Sequence, residues 1–340
     1  MKNLKIIFTI CIVLSLICLA GLPAMAGAQN VEIAFQHNNT EDHPWHAGIL
    51  HMQKMLDERS DGRIQVKIFP NGILSQRNWK VMLEQTQKGS SQMMIESSIP
   101  FATLIPELFA LNLPFSFENV EHYKKFMKDP PDVVFEWFKE LEDKDVKVLG
   151  VWTRPFREII NSERPIKTPE DLKGLKFRVP GLDLFVKTWE AMGAKPIPLP
   201  SGEIYTAIQL GTVVGEDNSV NTVYSFKTYE VTKYMTIWDY MPDGVLVVVN
   251  KPFWDKLSVE DQNLILEAVD EGREVVYKGD KEYEKMAMTE MIESGIQFTF
   301  LTEEQKKPFK ELVQPAYGIM EEIIGKAALD AYLEAVDAAR

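Results

Sequence analysis

The alternation of short apolar strands with helices is the feature that most constrains this 340-residue chain. Strand patterns with a period of two residues occur at 31–37, 63–69, 92–97 and 146–152, and helical patterns separate the first three. The alternation starts again at about residue 152. A chain of this length exceeds one small core, so the sequence predicts an α/β fold with two lobes.

The second half of the chain supplies more of the same elements. Thr168-Pro169-Glu170-Asp171 has the composition of a helix start, with an oxygen cap, a proline and an acid three residues after the cap. Residues 174–181, GLKFRVPG, read as a strand that Pro180 and Gly181 end, and TVVGEDN at 212–218 reads as another. Ser201 is predicted to cap a further helix.

Two later segments bear on the overall architecture. The run VLVVVN at 245–250 is so apolar that both of its faces must be covered, as in a parallel sheet. A capping box at Ser258 opens a helical pattern that continues to about Glu293. Such a helix is long for a globular protein and suits a brace across two lobes.

These elements give a domain division with no flexible linker, so several chain crossings and a hinge are expected between the lobes. The predicted parts are a signal peptide at 1–28, a first lobe at 29–151 plus 242–258, a second lobe at 152–241 plus 294–325, a lobe-spanning helix at 259–293 and a C-terminal helix at 326–340.

The N-terminal segment has the composition of a secretory signal peptide. Lys2 and Lys5 precede an apolar run, and small residues at 24–28 offer cleavage sites between Gly27 and Gln29. Both cysteines of the chain, Cys11 and Cys18, lie in this segment. The mature chain is therefore expected to be periplasmic, with no disulfide and no cysteine nucleophile. Lipidation at Cys18 is the alternative, but bulky Ile17 precedes it.

The charge of the chain limits its partners. It has 37 basic and 50 acidic residues, and the signal segment takes two lysines, which leaves 35 − 50 = −15. An acidic surface repels nucleic acid, so none is expected as a partner. An anion would have to bind to a few cations inside a cleft. We expect a monomer without a cofactor.

Sequence motifs of common enzyme classes are absent. The chain contains no G-x-G-x-x-G, P-loop, G-x-S-x-G or H-E-x-x-H motif. Four of its five histidines, His37, His43, His46 and His51, crowd one region, and zinc ligands can be spaced in this way. Because His43 and His46 flank a predicted helix start and no cysteine accompanies them, capping and surface roles are favoured over a metal site.

Arginines at strand ends are the candidate binding residues. Arg157 and Arg178 lie on successive strands of the second lobe, and Asn218 ends a third. In open α/β sheets ligands bind outside the carboxyl ends of strands. A guanidinium matches a carboxylate with two parallel hydrogen bonds, and an amide can donate to the same anion. The alternatives are that Arg154 and Arg157 are surface charges paired with Glu158 or Glu163, and that Arg178 belongs to a structural ion pair.

Aromatic residues surround these positions in the sequence. Most are expected to be core residues, but one or two are expected to wall a pocket, since ligand sites are mostly apolar. The candidates for the pocket wall are Trp152, Phe156, Tyr205 and Trp238.

The chain resembles the extracytoplasmic solute receptors of TRAP transporters, of the DctP type. The resemblance covers about residues 31–260 and is carried by GRIQVKIFPNGIL (62–74), FALNLPFSF (109–117), FREIINSERPIKTPEDLKGLKFRVP (156–180), GAKPIPLPSGEIYTAIQLGTVVGEDN (193–218) and YEVTKYM (229–235). It implies a two-lobed periplasmic-binding-protein-like fold with a hinge and a long C-terminal helix that braces both lobes. It also implies a small organic acid as the ligand and a TRAP membrane permease as the partner.

The resemblance also implies roles for individual residues. Arg178 would clamp the ligand carboxylate, and Arg157 and Asn218 would assist. Polar residues after the first and third strands would complete the site, namely Gln36, His37, Asn38, Glu96 and Ser97. The chain departs from the family pattern at Val214, where an aspartate is usual, and at Ser219, where a proline is usual, so the loop that positions Asn218 is expected to differ.

Two other functions stay open at this point. A periplasmic enzyme acting on an organic acid would use His37, Glu96 or Glu216 as acid and base. A receptor that feeds a sensor kinase would have the same binding site. Since few further polar residues accompany the arginines, an aromatic or compact monocarboxylate is favoured over a sugar acid as the ligand.

Overall fold

The computed structural model describes residues 30–128 and 130–340, so the predicted signal peptide lies outside the described residues. In this part of the chain, strands form one sheet of five and one of six, with helices packed against both. The predicted α/β class and the two-lobed architecture are confirmed. No helix within the described ranges combines the length and apolarity needed to cross a bilayer.

The first sheet has the strand order β2-β1-β3-β10-β4. These strands are β1 (Val31–Gln36), β2 (Ile64–Phe69), β3 (Met93–Ser97), β4 (Val146–Thr153) and β10 (Gly244–Asn250). All seven residues of β10 are buried, as its apolar sequence predicts. However, β10 runs antiparallel to both β3 and β4, so the parallel arrangement expected for this strand is wrong.

The second sheet has the strand order β11-β9-β5-β8-β6-β7. These strands are β5 (Arg157–Asn161), β6 (Lys176–Val179), β7 (Lys195–Pro198), β8 (Gly215–Asn218), β9 (Tyr234–Met241) and β11 (Gln297–Phe300). Strand β6 lies parallel to β8, and Arg178 is paired in register with Glu216. This register brings the polar ends of β6 and β8 to one edge of the sheet.

Helices cover the faces of both sheets. Those before β10 are α1 (Pro44–Arg59), α2 (Trp79–Gln87), α3 (Val120–Lys128), α4 (Asp132–Glu140), α5 (Asp183–Ala191), α6 (Ile204–Gln209) and α7 (Val220–Ser225). Those after it are α8 (Lys251–Trp254), α9 (Val259–Glu293), α10 (Glu303–Leu312), α11 (Gln314–Ile324) and α12 (Lys326–Ala338).

Two predicted helix starts differ in detail from the structure. The Thr168 box is present, with the Asp171 carboxylate 2.9 Å from the Thr168 backbone N–H, but it opens only a 3₁₀ turn, Pro169–Leu172. The Ser201 hydroxyl does not cap a helix. It donates instead to the carbonyl oxygen of Arg77 at 2.6 Å, because the chain at 201–203 forms a 3₁₀ turn against the opposite lobe.

The predicted long helix is confirmed as α9, which has 35 residues and begins after Ser258. It contacts α1 through two glycines: a Cβ atom on Gly48 would lie 2.9 Å from the Gly272 carbonyl oxygen. The indole of Trp152 packs beside both glycines and donates to the Val269 carbonyl oxygen at 3.1 Å. Farther along, α9 meets the second lobe, where the Asn221 amide donates to Asp280 at 3.2 Å. The helix therefore contacts both lobes.

Candidate functional site

Polar residues from both lobes surround one cavity at the edge of the two sheets. The cavity offers about 60 Å³ to the centres of water molecules, where a single water needs about 10–15 Å³. Its lining residues are Asn38, Asn39, Trp79, Glu96, Ser97, Ile99, Pro100, Arg154, Arg157, Arg178, Pro180, Ser201, Asn218, Thr222 and Phe226. The structure thus brings together six of the residues predicted from the sequence, Arg178, Arg157, Asn218, Glu96, Ser97 and Asn38.

The Nε of Arg154 lacks a hydrogen-bond partner among the described residues, but Arg178 is the cavity cation with both terminal amino groups free. It lies near the end of β6, is 3% exposed and uses its Nε to donate to the Leu199 carbonyl oxygen at 2.9 Å. No acceptor among the described residues is within hydrogen-bond reach of its two terminal amino groups. Burial lowers the pKa of Arg178 to about 10, although Glu216 opposes the shift. Arg178 therefore stays charged at neutral pH while two of its nitrogens lack protein partners.

Arg157 is held by protein carboxylates. Its Nε donates to Asp217 Oδ2 at 2.7 Å, its Nη2 to the Asp217 carbonyl oxygen at 2.6 Å and its Nη1 to Asp243 Oδ2 at 2.9 Å. Burial alone would lower the pKa of Arg157, but the two aspartates outweigh it and raise the pKa above the usual range. These bonds hold the Arg157 side chain on the cavity wall. Asp217 is within reach because its strand, β8, pairs with β5, which carries Arg157.

Arg154 is held in a similar way. Its Nη1 donates to the Thr222 hydroxyl at 2.9 Å and its Nη2 to the same Asp243 Oδ2 that Arg157 contacts. The other oxygen of Asp243 accepts from the Ser97 hydroxyl at 2.5 Å. Burial alone would raise the pKa of Asp243, but the two arginines and this hydroxyl hold it below its ordinary value. Asp243 is therefore an anion shared by two guanidinium groups.

Glu96 carries a second polar centre of the cavity, at the end of β3. Its Oε2 accepts from the Asn38 amide at 2.6 Å, and its Oε1 accepts from the backbone N–H of Ser97 at 2.9 Å. Burial raises the pKa of Glu96, against the opposing effects of these donors and of Arg154. Each carboxylate oxygen retains a lone pair for a further donor.

Asn218 is positioned by its neighbours on β8 and α7. Its amide nitrogen donates to Glu216 Oε2 at 3.1 Å, and its amide oxygen accepts from the Ser219 N–H at 3.1 Å. Ser219, which replaces the usual proline, caps α7 through its hydroxyl. One amide proton of Asn218 remains for a ligand.

The remaining predicted site residues lie outside the cavity wall. Trp152, Phe156, Trp238 and His37 are at most 1% exposed and belong to the protein interior. Tyr205 is half-buried and donates to Glu230 at 3.2 Å. A ligand-binding role for these five stays a prediction that this geometry does not favour.

The cavity wall also includes aromatic residues that sequence reasoning missed. Trp79 opens α2, and Phe226 follows α7, where the Arg77 guanidinium lies 4.7 Å from its ring centre. Both are distant from the arginines in sequence, so proximity along the chain gave no signal. Asp243 was missed as well, although the sequence PDG at 242–244 places an acid beside an apolar strand.

The two lobes touch around the mouth of the cavity. The Thr40 backbone N–H donates to the Ser225 hydroxyl at 3.0 Å. On the other side Gly202 approaches the Gln76 carbonyl oxygen so closely that a Cβ atom would lie 2.6 Å from it. These contacts join residues of the first and second lobes on two sides of the cavity.

Three of the four clustered histidines, His37, His43 and His46, are buried, whereas the His51 side chain is partly exposed. His43 caps α1, with Nδ1 accepting from the Trp45 N–H at 3.2 Å, and His37 Nε2 lies 3.0 Å from His46 Nδ1. The predicted capping role is confirmed for His43, but the predicted surface roles of His37 and His46 are wrong, since the strand and helix bury them. Among the residues that the structure describes, no group of three or more histidines and acids is arranged to hold a metal.

Replacement of His37 by glutamine is expected to reduce the loss of stability in acid. Burial, with help from His46, lowers the pKa of His37 to about 3, against about 6.5 in an unfolded chain. The neutral ring therefore favours the folded state fully above pH 6.5, and this contribution declines as the pH falls toward 3. Between pH 7 and 5 the wild type should lose about 2 kcal/mol more than His37→Gln in urea unfolding.

His51→Gln is the matched control, because the His51 side chain is 39% exposed and pairs with Glu271 at the surface. Equal pH dependence in wild type and His37→Gln would show that His37 is not kept neutral by the fold.

Comparison with known proteins agrees with this geometry. The model of the bacterial extracellular solute-binding protein family 7, DctP, matches residues 35–322. The chain belongs to this family. A relative, the 2,3-diketo-L-gulonate-binding periplasmic protein YiaO of Escherichia coli, is 30% identical over 297 residues, which are 86% of this chain and 88% of that protein.

Solved structures of the family share the fold. The sugar acid binding protein DctPAm of Advenella mimigardefordensis, in complex with galactonate, superimposes with a TM-score of 0.87 at 26% identity and covers 92% of this chain and 100% of its own. A TRAP periplasmic solute-binding protein of Shewanella oneidensis with bound succinate gives 0.84 at 26% identity and covers 91% and 99%. This family 7 chain therefore has the architecture of extracytoplasmic solute receptors.

Proposed function

We propose that this family 7 protein binds a small organic acid in the cavity, holds its carboxylate on Arg178 and delivers it to a TRAP membrane permease. The observation that supports this most is the pair of unpartnered amino groups of Arg178 in a cavity lined by both lobes. A buried cation with free donors is costly unless an anion completes it. A planar carboxylate fits those two donors.

The part of the ligand remote from Arg178 would carry a hydrogen-bond donor. The Glu96 carboxylate is fixed by Asn38 and Ser97, and it has acceptor capacity on the cavity wall. A hydroxyl or ammonium group would satisfy it, whereas an apolar end would leave it desolvated. Trp79 and Phe226 would pack against the carbon skeleton.

The size of the cavity favours a compact acid. Its volume accommodates about four to six water molecules, so a larger ligand would require the lobes to separate further. Relatives are named for 2,3-diketo-L-gulonate, and neighbours hold galactonate or succinate, so sugar acids and short acids are both tested below.

A catalytic role is not proposed. Of the three residues considered for acid–base work, His37 is hydrogen-bonded to His46, and Glu216 accepts from Thr228 and Asn218. These bonds hold His37 and Glu216 in place among buried partners. We propose a monomeric receptor that does not bind nucleic acid, and incubation of candidate acids with the protein should leave them unchanged by chromatography.

Export through a cleaved signal peptide is expected from the sequence. Mass spectrometry of the protein from a periplasmic fraction should give a chain that starts between Gly27 and Gln29. A mass that retains Cys18 with an acyl chain would instead indicate a lipoprotein.

A thermal-shift screen of organic acids tests the function directly. A ligand at 100 times its dissociation constant should stabilise the protein by about 2.7 kcal/mol. Because both lobes line the cavity, a bound acid should favour the closed form and reduce the radius of gyration in small-angle scattering. A screen in which no carboxylate stabilises the protein, or in which a bound acid is consumed, would contradict the proposal.

A further inference from the structure

We infer that Asp243 is a positioning residue for ligand specificity: together with Asp217 it neutralises Arg154 and Arg157, so that the receptor accepts one ligand carboxylate and disfavours two. The inference rests on the proposed function and concerns the same cavity. Asp217 and Asp243, which pair with the arginines, would determine whether the receptor prefers monocarboxylates or dicarboxylates.

The charges of two arginines on the cavity wall are balanced within the protein. Three arginines line the cavity, yet two of them have aspartate partners within the protein. Asp217 and Asp243 supply two negative charges against the two positive charges of Arg154 and Arg157. Only the charge of Arg178 is left without an ion-pair partner among the described residues.

Arg157 uses most of its hydrogen-bonding capacity within the protein. Its Nε and both terminal nitrogens already donate to Asp217 and Asp243 at 2.6–2.9 Å. The fork formed by Nε and one terminal nitrogen is occupied by Asp217, while each terminal nitrogen keeps one further N–H. All three acceptor atoms belong to buried residues, so a ligand carboxylate that took the fork would leave a desolvated acceptor.

Asp243 is placed where it contacts residues of both lobes. It lies between β9 and β10, where the chain passes from the second sheet to the first. One of its oxygens binds Ser97 of the first lobe, and the other binds both arginines. Asp243 therefore holds Arg154 and Arg157 in place without a ligand.

The opposite wall of the cavity carries an acidic residue, Glu96. A second carboxylate would approach either the Arg154–Arg157 pair, which is neutralised, or Glu96, which is itself an acid. In a buried cavity two carboxylates repel strongly. Both positions thus disfavour a dianion.

Asp243→Asn tests the inference, because asparagine has the same shape and removes one negative charge. Binding is measured by calorimetry for three matched pairs that differ by a second carboxylate: propionate and succinate, benzoate and terephthalate, gluconate and glucarate. The wild type should prefer the first member of the pair that it binds. In Asp243→Asn the affinity ratio should shift toward the dicarboxylate by at least tenfold, since a dianion gains more than a monoanion from the lost charge.

Two further variants separate specificity from stability. Asp261→Asn removes another buried aspartate, which pairs with Arg63 at 2.9 Å outside the cavity wall, and should leave the ratio unchanged. If Asp243→Asn does not fold, Asp217→Asn releases Arg157 and should shift the ratio in the same direction. An unchanged ratio in a folded variant, or a wild type that prefers the dicarboxylate, would overturn the inference. A wild type that binds none of the six acids would count instead against the proposed function.

Discussion

Arg178→Ala is expected to fold and to lose ligand affinity by about 30-fold to several thousand-fold, equivalent to about 2–5 kcal/mol. The variant would leave the ligand carboxylate in a closed cavity opposite two arginines that are already occupied by Asp217 and Asp243. Isothermal titration with an acid found in the screen measures the effect.

Arg178→Lys separates charge from geometry in the same experiment. Lysine keeps a positive charge but not the planar fork, so it should recover only part of the affinity. Arg164→Ala is a suitable control, because that side chain binds backbone oxygens at 171 and 173 instead of lining the cavity. Unchanged affinity in Arg178→Ala would remove Arg178 from the binding site.

Trp152→Ala is expected to destabilise the folded protein by about 3–5 kcal/mol, as other buried tryptophan truncations do. The indole is fully buried between α1 and α9, and its Nε1 donates to the Val269 carbonyl oxygen. Removal leaves a cavity beside Gly48 and Gly272 that the two closely packed helices cannot fill. Urea unfolding should show a lower midpoint.

The ligand affinity of folded Trp152→Ala should stay close to that of the wild type. This outcome would assign Trp152 to the core, whereas a large loss of affinity with unchanged stability would restore it as a wall of the binding site. The stability of Trp152→Phe should lie between those of the wild type and Trp152→Ala, because phenylalanine retains part of the packing but not the hydrogen bond.

Local signals made much of the fold predictable. The capping box at Ser258 placed the start of α9, and the end expected at about Glu293 agrees with the observed end. The alternating pattern of 174–181 placed a strand ending beside Arg178. The direction of β10 was not predictable, because burial on both faces is equally compatible with antiparallel neighbours.

The site was predictable only in part, for a physical reason. Strand ends identify which arginines approach the crevice, but their partners come from 60 and 86 residues away in the chain. The sequence therefore left open whether Arg157 is free or paired. Trp152, Phe156 and Trp238, close to the arginines in sequence, are buried in the core, whereas Trp79 and Phe226 reach the cavity from other parts of the chain.

The position of β10 has a consequence for the order in which the protein can be built. This strand lies between β3 and β4, yet it is made of residues 244–250 and follows the whole second sheet except β11. As the chain emerges from the ribosome, β3 is complete at residue 97 and β4 at residue 153, but their shared neighbour begins only at residue 244. Until then each presents an apolar strand with unpaired backbone groups. A chain interrupted before residue 244 would contain no complete lobe and would be prone to aggregation or proteolysis.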